Sequence, residues 1–174
     1  MEKGVTVALG IDGPVIAYQQ NLWYLIRHVT AIQRLADRLA NPGGGFEPLN
    51  QFGGPETALE MATILGAKAL RWDTEIGSLE VGKQADLLVL DLSEAVHLTP
   101  HAALINNLVY CAGANQEVIK HVFVSGNKVV SDGHVVNVDV REAVRKSNEQ
   151  QLRHLEKTGA TKWINKGTKW QWVS

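Results

Sequence analysis

Apolar residues recur at three- and four-residue steps between residues 22 and 39, which is the spacing of one face of an amphipathic helix. Asn21 comes directly before this run and suits an N-cap, because its side chain can accept a backbone N–H of the first turn. Asn41 and Pro42, followed by glycines, end the pattern. The spacing therefore predicts a helix whose inward face carries Leu22, Leu25, Ile26, Val29, Ile32, Ala36 and Leu39.

A second helical pattern begins at Pro55, a residue that favours the first position of a helix. Its apolar content extends to Leu70, but Gly66 interrupts it. The pattern predicts either two short helices or a close packing contact at that glycine. Helical periodicity ends after Trp72, so we place a boundary near residue 73.

Strand patterns dominate the part of the chain beyond this boundary. Residues 86–91 form an aliphatic run with an acidic residue at each end. Residues 118–124 and 128–130 are joined by Ser-Gly-Asn, which is a hairpin signal, and a further turn and short run follow at 131–136. We expect a meander of short antiparallel strands here.

The last third of the chain predicts a third helix over residues 140–155, with one side exposed among charged and amide residues. The tail after it carries Trp163, Trp170 and Trp172 among lysines. This tail could dock on the body of the protein or on a partner, and we favour docking over base stacking. The predicted organisation has three parts, which are residues 1–73, 74–138 and 139–174.

The charge balance excludes several classes of partner. The chain has 17 basic and 18 acidic residues and a formal net charge of -1, which gives no basic surface for nucleic acid or for an anionic membrane. No apolar stretch approaches the roughly 20 residues that a membrane-spanning helix needs. One cysteine excludes an internal disulfide, and no signal-peptide pattern is present. We therefore expect a cytoplasmic protein.

One acidic residue stands where chemistry is often found. Residues 5–9 are typical of a buried parallel strand, and Asp12 follows them between Gly10 and Gly13. In parallel α/β architectures, catalytic groups lie at the C-terminal ends of the strands. A carboxylate there can bind a metal ion or accept a proton. It can equally be a turn residue that caps the following segment, and the local pattern leaves both interpretations open.

Other candidate residues carry weaker signals. The six histidines show neither His-x-His nor His-Glu-x-x-His spacing. His97 and His101 are four residues apart, but Pro100 argues against a helix that would bring them together. His28, beside the apolar stripe of the first helix, is interpreted as a packed or boundary residue. Cys111 lies in a stretch that predicts a loop, and a lone cysteine is more often a small buried residue than a nucleophile.

Residues 76–91 have the sequence IGSLEVGKQADLLVLD. In length, order and residue types this segment closely resembles a hallmark of the amidohydrolase superfamily, where the chain enters a small β-sandwich domain after a barrel. Three more segments resemble the family in the expected order: 62–70 the helix before the hallmark, 122–130 the late sandwich hairpin, and 7–13 the eighth barrel strand. The resemblance covers roughly residues 4–140 and is closest to the deaminase and chlorohydrolase branch.

This resemblance implies an α/β fold class: the C-terminal fragment of a (β/α)8 barrel, with its last strand and following helices, plus part of the small β-sandwich domain. It implies that Asp12 is both a metal ligand and the catalytic general base. The implied cofactor is a divalent metal, zinc or iron, and the implied substrates are small cyclic molecules such as aminopurines, aminopyrimidines or triazines. Ile11, where the family more often has threonine, and residues 14–17, which lack the usual small polar run, bear on the substrate pocket.

The resemblance further implies that most metal ligands of such an enzyme, including a His-x-His, belong to barrel strands that this chain lacks. We expect a partial chain that is inactive alone and that self-associates or is completed by another chain. The alternative hypothesis is a non-catalytic, self-associating fragment or an accessory subunit. Whether the isolated chain is an enzyme stays open at this point.

Overall fold

The computed structural model describes residues 4–13, 20–43, 54–112 and 118–160. Over these residues the protein combines helices with one antiparallel sheet, and the predicted mixture of both is confirmed. The chain divides into two compact units, Met1–His134 and Val135–Ser174. The elements are α1 (Leu22–Ala40), α2 (Pro55–Met61), α3 (Ile64–Leu70), β1 (Leu87–Leu90), α4 (Leu104–Cys111), β2 (Ile119–Val124), β3 (Asn127–Ser131), β4 (His134–Val135) and α5 (Val140–Thr158).

Helix α1 follows the predicted bounds, and the predicted N-cap is confirmed. The Asn21 side chain accepts the backbone N–H groups of Trp23 and Tyr24, which satisfies two donors that the first turn leaves unpaired. The predicted inward face is buried only in its first half. Ile32 is 63% exposed and Leu39 is 71% exposed, because the apolar cluster that packs against α1 contacts only its N-terminal half.

Helices α2 and α3 are the predicted pair of short helices. The break lies at Ala62 and Thr63 rather than at Gly66, which is inside α3. Thr63 leaves helical geometry with φ -128 and ψ -103. The alternative of a close packing contact at Gly66 is not needed, since a Cβ on it would lie 3.4 Å from the Met61 carbonyl oxygen, an ordinary contact distance.

The predicted buried strand over residues 5–9 is not found. Residues 4–13 are assigned to no strand, and Val5 is 61% exposed. Among the described residues, one backbone hydrogen bond joins the segment of residues 4–13 to a helix. In this bond, the Leu9 N–H donates to the Met61 carbonyl oxygen at 3.2 Å. A strand needs a neighbouring strand to pair with, and within the described part of the chain this segment contacts a helix end instead.

The sheet confirms the predicted antiparallel meander and has the strand order β1-β2-β3-β4. Leu88 of β1 lies opposite Val122 of β2, which in turn lies opposite Val130 of β3. These three residues therefore form an apolar row across one face of the sheet. Ser125 and Gly126 form the turn of the β2–β3 hairpin, as the sequence predicts.

Two small apolar clusters form the core of the first unit. One surrounds Leu98 and Val118 beneath the sheet, and the other joins Ile26 of α1 to Ala58 of α2 and Val109 of α4. Helix α4 was not predicted, and Cys111 is its last residue rather than part of a loop. Cys111 packs half-buried against the first cluster, in agreement with its interpretation as a small apolar residue.

The second unit consists mainly of α5. Asp139 caps its N-terminus by accepting the N–H of Glu142, and Gly159 ends it in a left-handed conformation. Arg145 pairs with Glu142 and Glu149 along the exposed surface of the helix. The predicted docking tail with its three tryptophans lies outside the described residues. Within those residues, no helix is both long and apolar enough to span a membrane.

Candidate functional site

Asp12, at the centre of residues 11–13, which we call the left-handed turn, has a left-handed backbone conformation. Its φ angle is 65, a conformation that few residues other than glycine adopt. Aspartate tolerates it because its short polar side chain can hydrogen-bond to the local backbone. Here the Gly13 N–H donates to Asp12 Oδ1 at 2.6 Å, and the carboxylate is exposed. The structure thus places this residue on an accessible, irregular segment rather than at the end of a strand.

Two contacts fix this segment on either side of the turn. Leu9 hydrogen-bonds to the end of α2 and packs against the apolar cluster that includes Ile26. On the other side, the Gln20 side-chain amide donates to the Asp12 carbonyl oxygen at 3.3 Å. The turn is therefore held between α2 and the residue that precedes the N-cap of α1.

The space around the turn is open. A Cβ built on Gly10 or on Gly13 would meet no other atom within 4 Å among the described residues. Crowding therefore does not explain these glycines, whereas a close approach of backbone to a ligand is a common reason for glycine at such a position. The arrangement offers an accessible carboxylate beside an unobstructed stretch of backbone.

The described residues do not, by themselves, fit a metal ion. A catalytic zinc ion needs about three protein ligands. In residues 4–13, 20–43, 54–112 and 118–160, no three His, Cys, Asp or Glu side chains come together in a way that could hold one. Asp12 contributes a single carboxylate, so the predicted metal-ligand role requires groups from outside these residues.

Several histidines are engaged in local hydrogen bonds instead. The ring of His28 contacts the Tyr24 ring at a centroid distance of 3.8 Å, and its Nδ1 lies 2.8 Å from the Tyr24 carbonyl oxygen. His121 Nδ1 accepts the backbone N–H of Asp132 at 3.3 Å. These contacts agree with the interpretation of His28 as a packed residue.

Sequence reasoning missed an open cleft with a volume of about 380 Å³. Asp91, Glu94, Lys120 and Asp132 line it. Hydrogen bonds from the Ser93 hydroxyl and backbone N–H, together with Lys120, lower the pKa of Asp91 to about 2. Lys120 pairs with both Asp91 and Asp132, so this one cation is shared between two of the three acidic residues of the lining. The arrangement is that of a structural ion-pair network.

The fold and its segments match one known family over most of the chain. The amidohydrolase family matches residues 1–129. The chain belongs to the amidohydrolase family. This confirms the resemblance that residues 76–91 carry in the sequence. As an amidohydrolase, the chain is similar in sequence to enzymes of the deaminase branch.

Two relatives illustrate the similarity in sequence. The chain is 37% identical over 157 residues to the 5-methylthioadenosine/S-adenosylhomocysteine deaminase of Thermoanaerobacter pseudethanolicus, covering 89% of this chain and 33% of the relative. It is 30% identical over 149 residues to the 5'-deoxyadenosine deaminase of Methanosarcina mazei, covering 86% of this chain and 31% of the relative. The chain thus spans about a third of the length of these relatives.

Solved structures show the same relation. A zinc-bound adenosine deaminase from Xanthomonas campestris is 27% identical, with a TM-score of 0.71 over 87% of this chain and 32% of that one. A zinc-bound atrazine chlorohydrolase from Arthrobacter aurescens shares the fold, with a TM-score of 0.69 over 85% of this chain and 30% of that one, at 23% identity. Both neighbours contain zinc, whereas the described residues of this chain bring together no group that could hold it.

Proposed function

We propose that this chain is the part of a metal-dependent amidohydrolase that supplies the proton-transferring carboxylate, and that Asp12 is that group. The observation that carries the proposal is the exposed Asp12 carboxylate on its left-handed turn, with open space beside Gly10 and Gly13. Non-glycine residues in this conformation concentrate at functional sites. Membership of the amidohydrolase family supports the same conclusion.

The reaction we propose is hydrolytic deamination of a cyclic substrate. Water adds to the ring carbon that bears the amino group, a C–O bond forms, and the C–N bond then breaks to release ammonia. Asp12 accepts a proton from the attacking water and delivers it to the departing nitrogen, so the carboxylate is regenerated at the end of each cycle. A divalent metal, zinc or iron, belongs to the complete enzyme in this proposal. Its other ligands must come from outside the described residues. In the proposed fold, they would lie on the seven earlier strands of the barrel.

Among the cyclic substrates, we favour an aminopurine nucleoside over aminopyrimidines and triazines. The two relatives described above are named as deaminases of adenosine derivatives. The triazine-type enzymes share the fold at lower identity. Ile11, which is half-buried directly before Asp12, is the described residue best placed to influence which ring is accepted.

The test compares Asp12→Asn with the unchanged protein. Asparagine also tolerates a left-handed conformation, so the fold should survive while proton transfer is lost. We expect kcat against adenosine-type substrates to fall about 100-fold or more. The assay contains added zinc and uses both this chain alone and the longest protein that the gene encodes. Asp37→Asn is the matched control, because Asp37 is an acidic residue of α1 that accepts a hydrogen bond from Gln33. Full activity of Asp12→Asn would contradict the proposal.

The alternative function is a non-catalytic, self-associating protein or an accessory subunit. The exposed second half of α1, with Ile32, Leu35 and Leu39, and the half-exposed Leu88 and Val124 of the sheet favour association with another surface. Light scattering of this chain over a range of concentrations tests it. A dimer that Leu35→Glu dissociates would support association, whereas a monomer at all concentrations would oppose it. We propose the cytoplasm as its compartment, with which the single cysteine is compatible.

A further inference from the structure

A side chain from later in the sequence hydrogen-bonds to the backbone of Asp12 at its left-handed turn. Gln20 lies eight residues further along the chain, yet its side-chain amide reaches the Asp12 carbonyl oxygen at 3.3 Å. Gln20 directly precedes Asn21, the N-cap of α1, whose own side chain is fixed by two backbone hydrogen bonds. The contact therefore connects the strained turn to the start of a regular helix.

This contact does something that the other two contacts of the turn cannot do. The Gly13 N–H to Asp12 Oδ1 bond joins neighbouring residues, so it moves with the turn and does not orient it relative to the protein. The Leu9 to Met61 bond fixes the segment three residues before Asp12. Within the described residues, Gln20 is the side chain that holds the Asp12 backbone itself from elsewhere in the fold. Aspartate tolerates the left-handed conformation, so this contact fixes the direction of a backbone conformation that the residue can already adopt.

We propose that Gln20 is a positioning residue, which keeps Asp12 left-handed and thereby directs its carboxylate into the open space beside Gly13. The conformational part of this proposal stands on the geometry alone. Its catalytic consequence rests on the proposed function of Asp12. Gln20 acts here through its N–H donor, because the acceptor is a backbone carbonyl and only a donor can bond to it.

The first test measures hydrogen exchange of the Gly13 amide by NMR in the full metal-free chain. Gln20→Glu keeps the length of the side chain and removes the donor, whereas Gln20→Lys supplies a donor again. We expect exchange at Gly13 to become roughly two- to threefold faster in Gln20→Glu, as loss of one exposed hydrogen bond implies, and to return toward the original rate in Gln20→Lys. The thermal midpoint should change little, which separates a local effect from general destabilisation.

Gln33→Glu is the matched control, because Gln33 also donates its amide to a nearby acceptor, Asp37 Oδ1 at 2.9 Å, but within α1. It should leave the exchange of Gly13 unchanged. An unchanged rate in Gln20→Glu, or an equal change in Gln33→Glu, would overturn the proposal.

The second test uses the form of the protein that shows turnover. A positioning role predicts that Gln20→Glu lowers kcat several-fold with little change in KM, and that Gln20→Lys recovers part of the loss. Faster exchange with unchanged kcat would overturn the positioning role. If the unchanged protein has no turnover in any form, the proposed function fails, and the exchange rates alone decide whether Gln20 holds the turn.

Discussion

Two aspartates in this protein make hydrogen bonds of equal length with opposite consequences. Asp86 Oδ1 accepts the backbone N–H of Ser125 at 2.6 Å, across 39 positions of sequence. Asp12 Oδ1 accepts the backbone N–H of Gly13, its own neighbour, also at 2.6 Å. The first bond joins distant parts of the fold, whereas the second only shapes a turn. Equal geometry therefore does not mean equal contribution to stability.

The same contrast extends to the glycines around these residues. Gly77, in the segment that leads to β1, has φ 94, and a Cβ on it would lie 2.7 Å from the Cβ of Ala67. Gly13, beside Asp12, has nothing within 4 Å of such a Cβ. In the segment before β1 the sequence is constrained by packing. At the Asp12 turn the described residues leave space, so packing among them does not constrain Gly13.

Gly77→Ala should give the largest loss of stability. The substitution combines an unfavourable left-handed conformation with overlap against Ala67 and Ile64, so we expect a loss of about 3 kcal/mol in the free energy of unfolding. Urea denaturation followed by circular dichroism measures it. Gly82→Ala is the control, because Gly82 has φ 97 but open space around it, and it should cost only about 1 kcal/mol. Equal losses in the two variants would show that packing at Gly77 contributes nothing.

Asp86→Ala should have the next largest effect. It removes the acceptor for the Ser125 N–H while the Ser125 hydroxyl keeps its bond to Gln84, so we expect a loss of about 1 kcal/mol. Asp12→Asn should change stability by less than about 0.5 kcal/mol. The same denaturation experiment measures both. The comparison of the two aspartates fails if the substitution at Asp12 costs as much as that at Asp86.

Asp91→Asn should alter the acid dependence of stability. The pKa of Asp91 is lowered from 3.8 to about 2 by Ser93 and Lys120. A lowered folded-state pKa contributes stability that is present above 3.8 and is lost as the pH falls toward about 2. We expect the urea midpoint of the unchanged chain to fall across this window and the variant to fall less. Parallel curves for the two proteins would show that Asp91 is not a source of acid sensitivity.

Gly13→Ala should have the smallest effect on stability and a clear effect on activity. The added methyl group meets open space, so we expect a change within about 0.5 kcal/mol. If a substrate approaches the backbone at this point, the methyl group should raise KM in the active form of the protein. Thermal denaturation and steady-state kinetics measure the two effects. A destabilised variant would mean that packing, rather than function, explains this glycine.

The sequence predicted best where local signals and packing agree. The Asn21 cap and the Ser-Gly-Asn hairpin turn define their elements with nearby residues, and both are confirmed. Helix α4 was missed because the stretch that starts at Cys111, with its alanines and glycine, predicted a loop, and the residues before it were assigned to no element. Leu104 and Leu108, like Ile105 and Val109, stand four residues apart, and packing of Val109 against Ile26 and Ala58 buries one side of this helix.

The candidate site was only partly accessible to sequence reasoning. Asp12 was identified as a candidate site residue from the glycines around it and from the family resemblance. Its catalytic role stays a prediction. Its left-handed backbone and the contact from Gln20 could not be predicted, because they depend on how residues eight positions apart meet. The strand expected over residues 5–9 was wrong. An aliphatic run shows that a segment can be buried, but it does not show that a neighbouring strand is available to pair with it.

The bond between Asp86 and Ser125 also has a consequence for the order of events in folding. The β2–β3 hairpin closes through a two-residue turn, which is a microsecond event, whereas β1 must bring Leu90 next to Ile119 across residues 91–118 before it can pair with β2. We therefore expect β1 to join a hairpin that has already formed. On that pathway, loss of the Asp86 bond accelerates unfolding and leaves the rate of refolding almost unchanged.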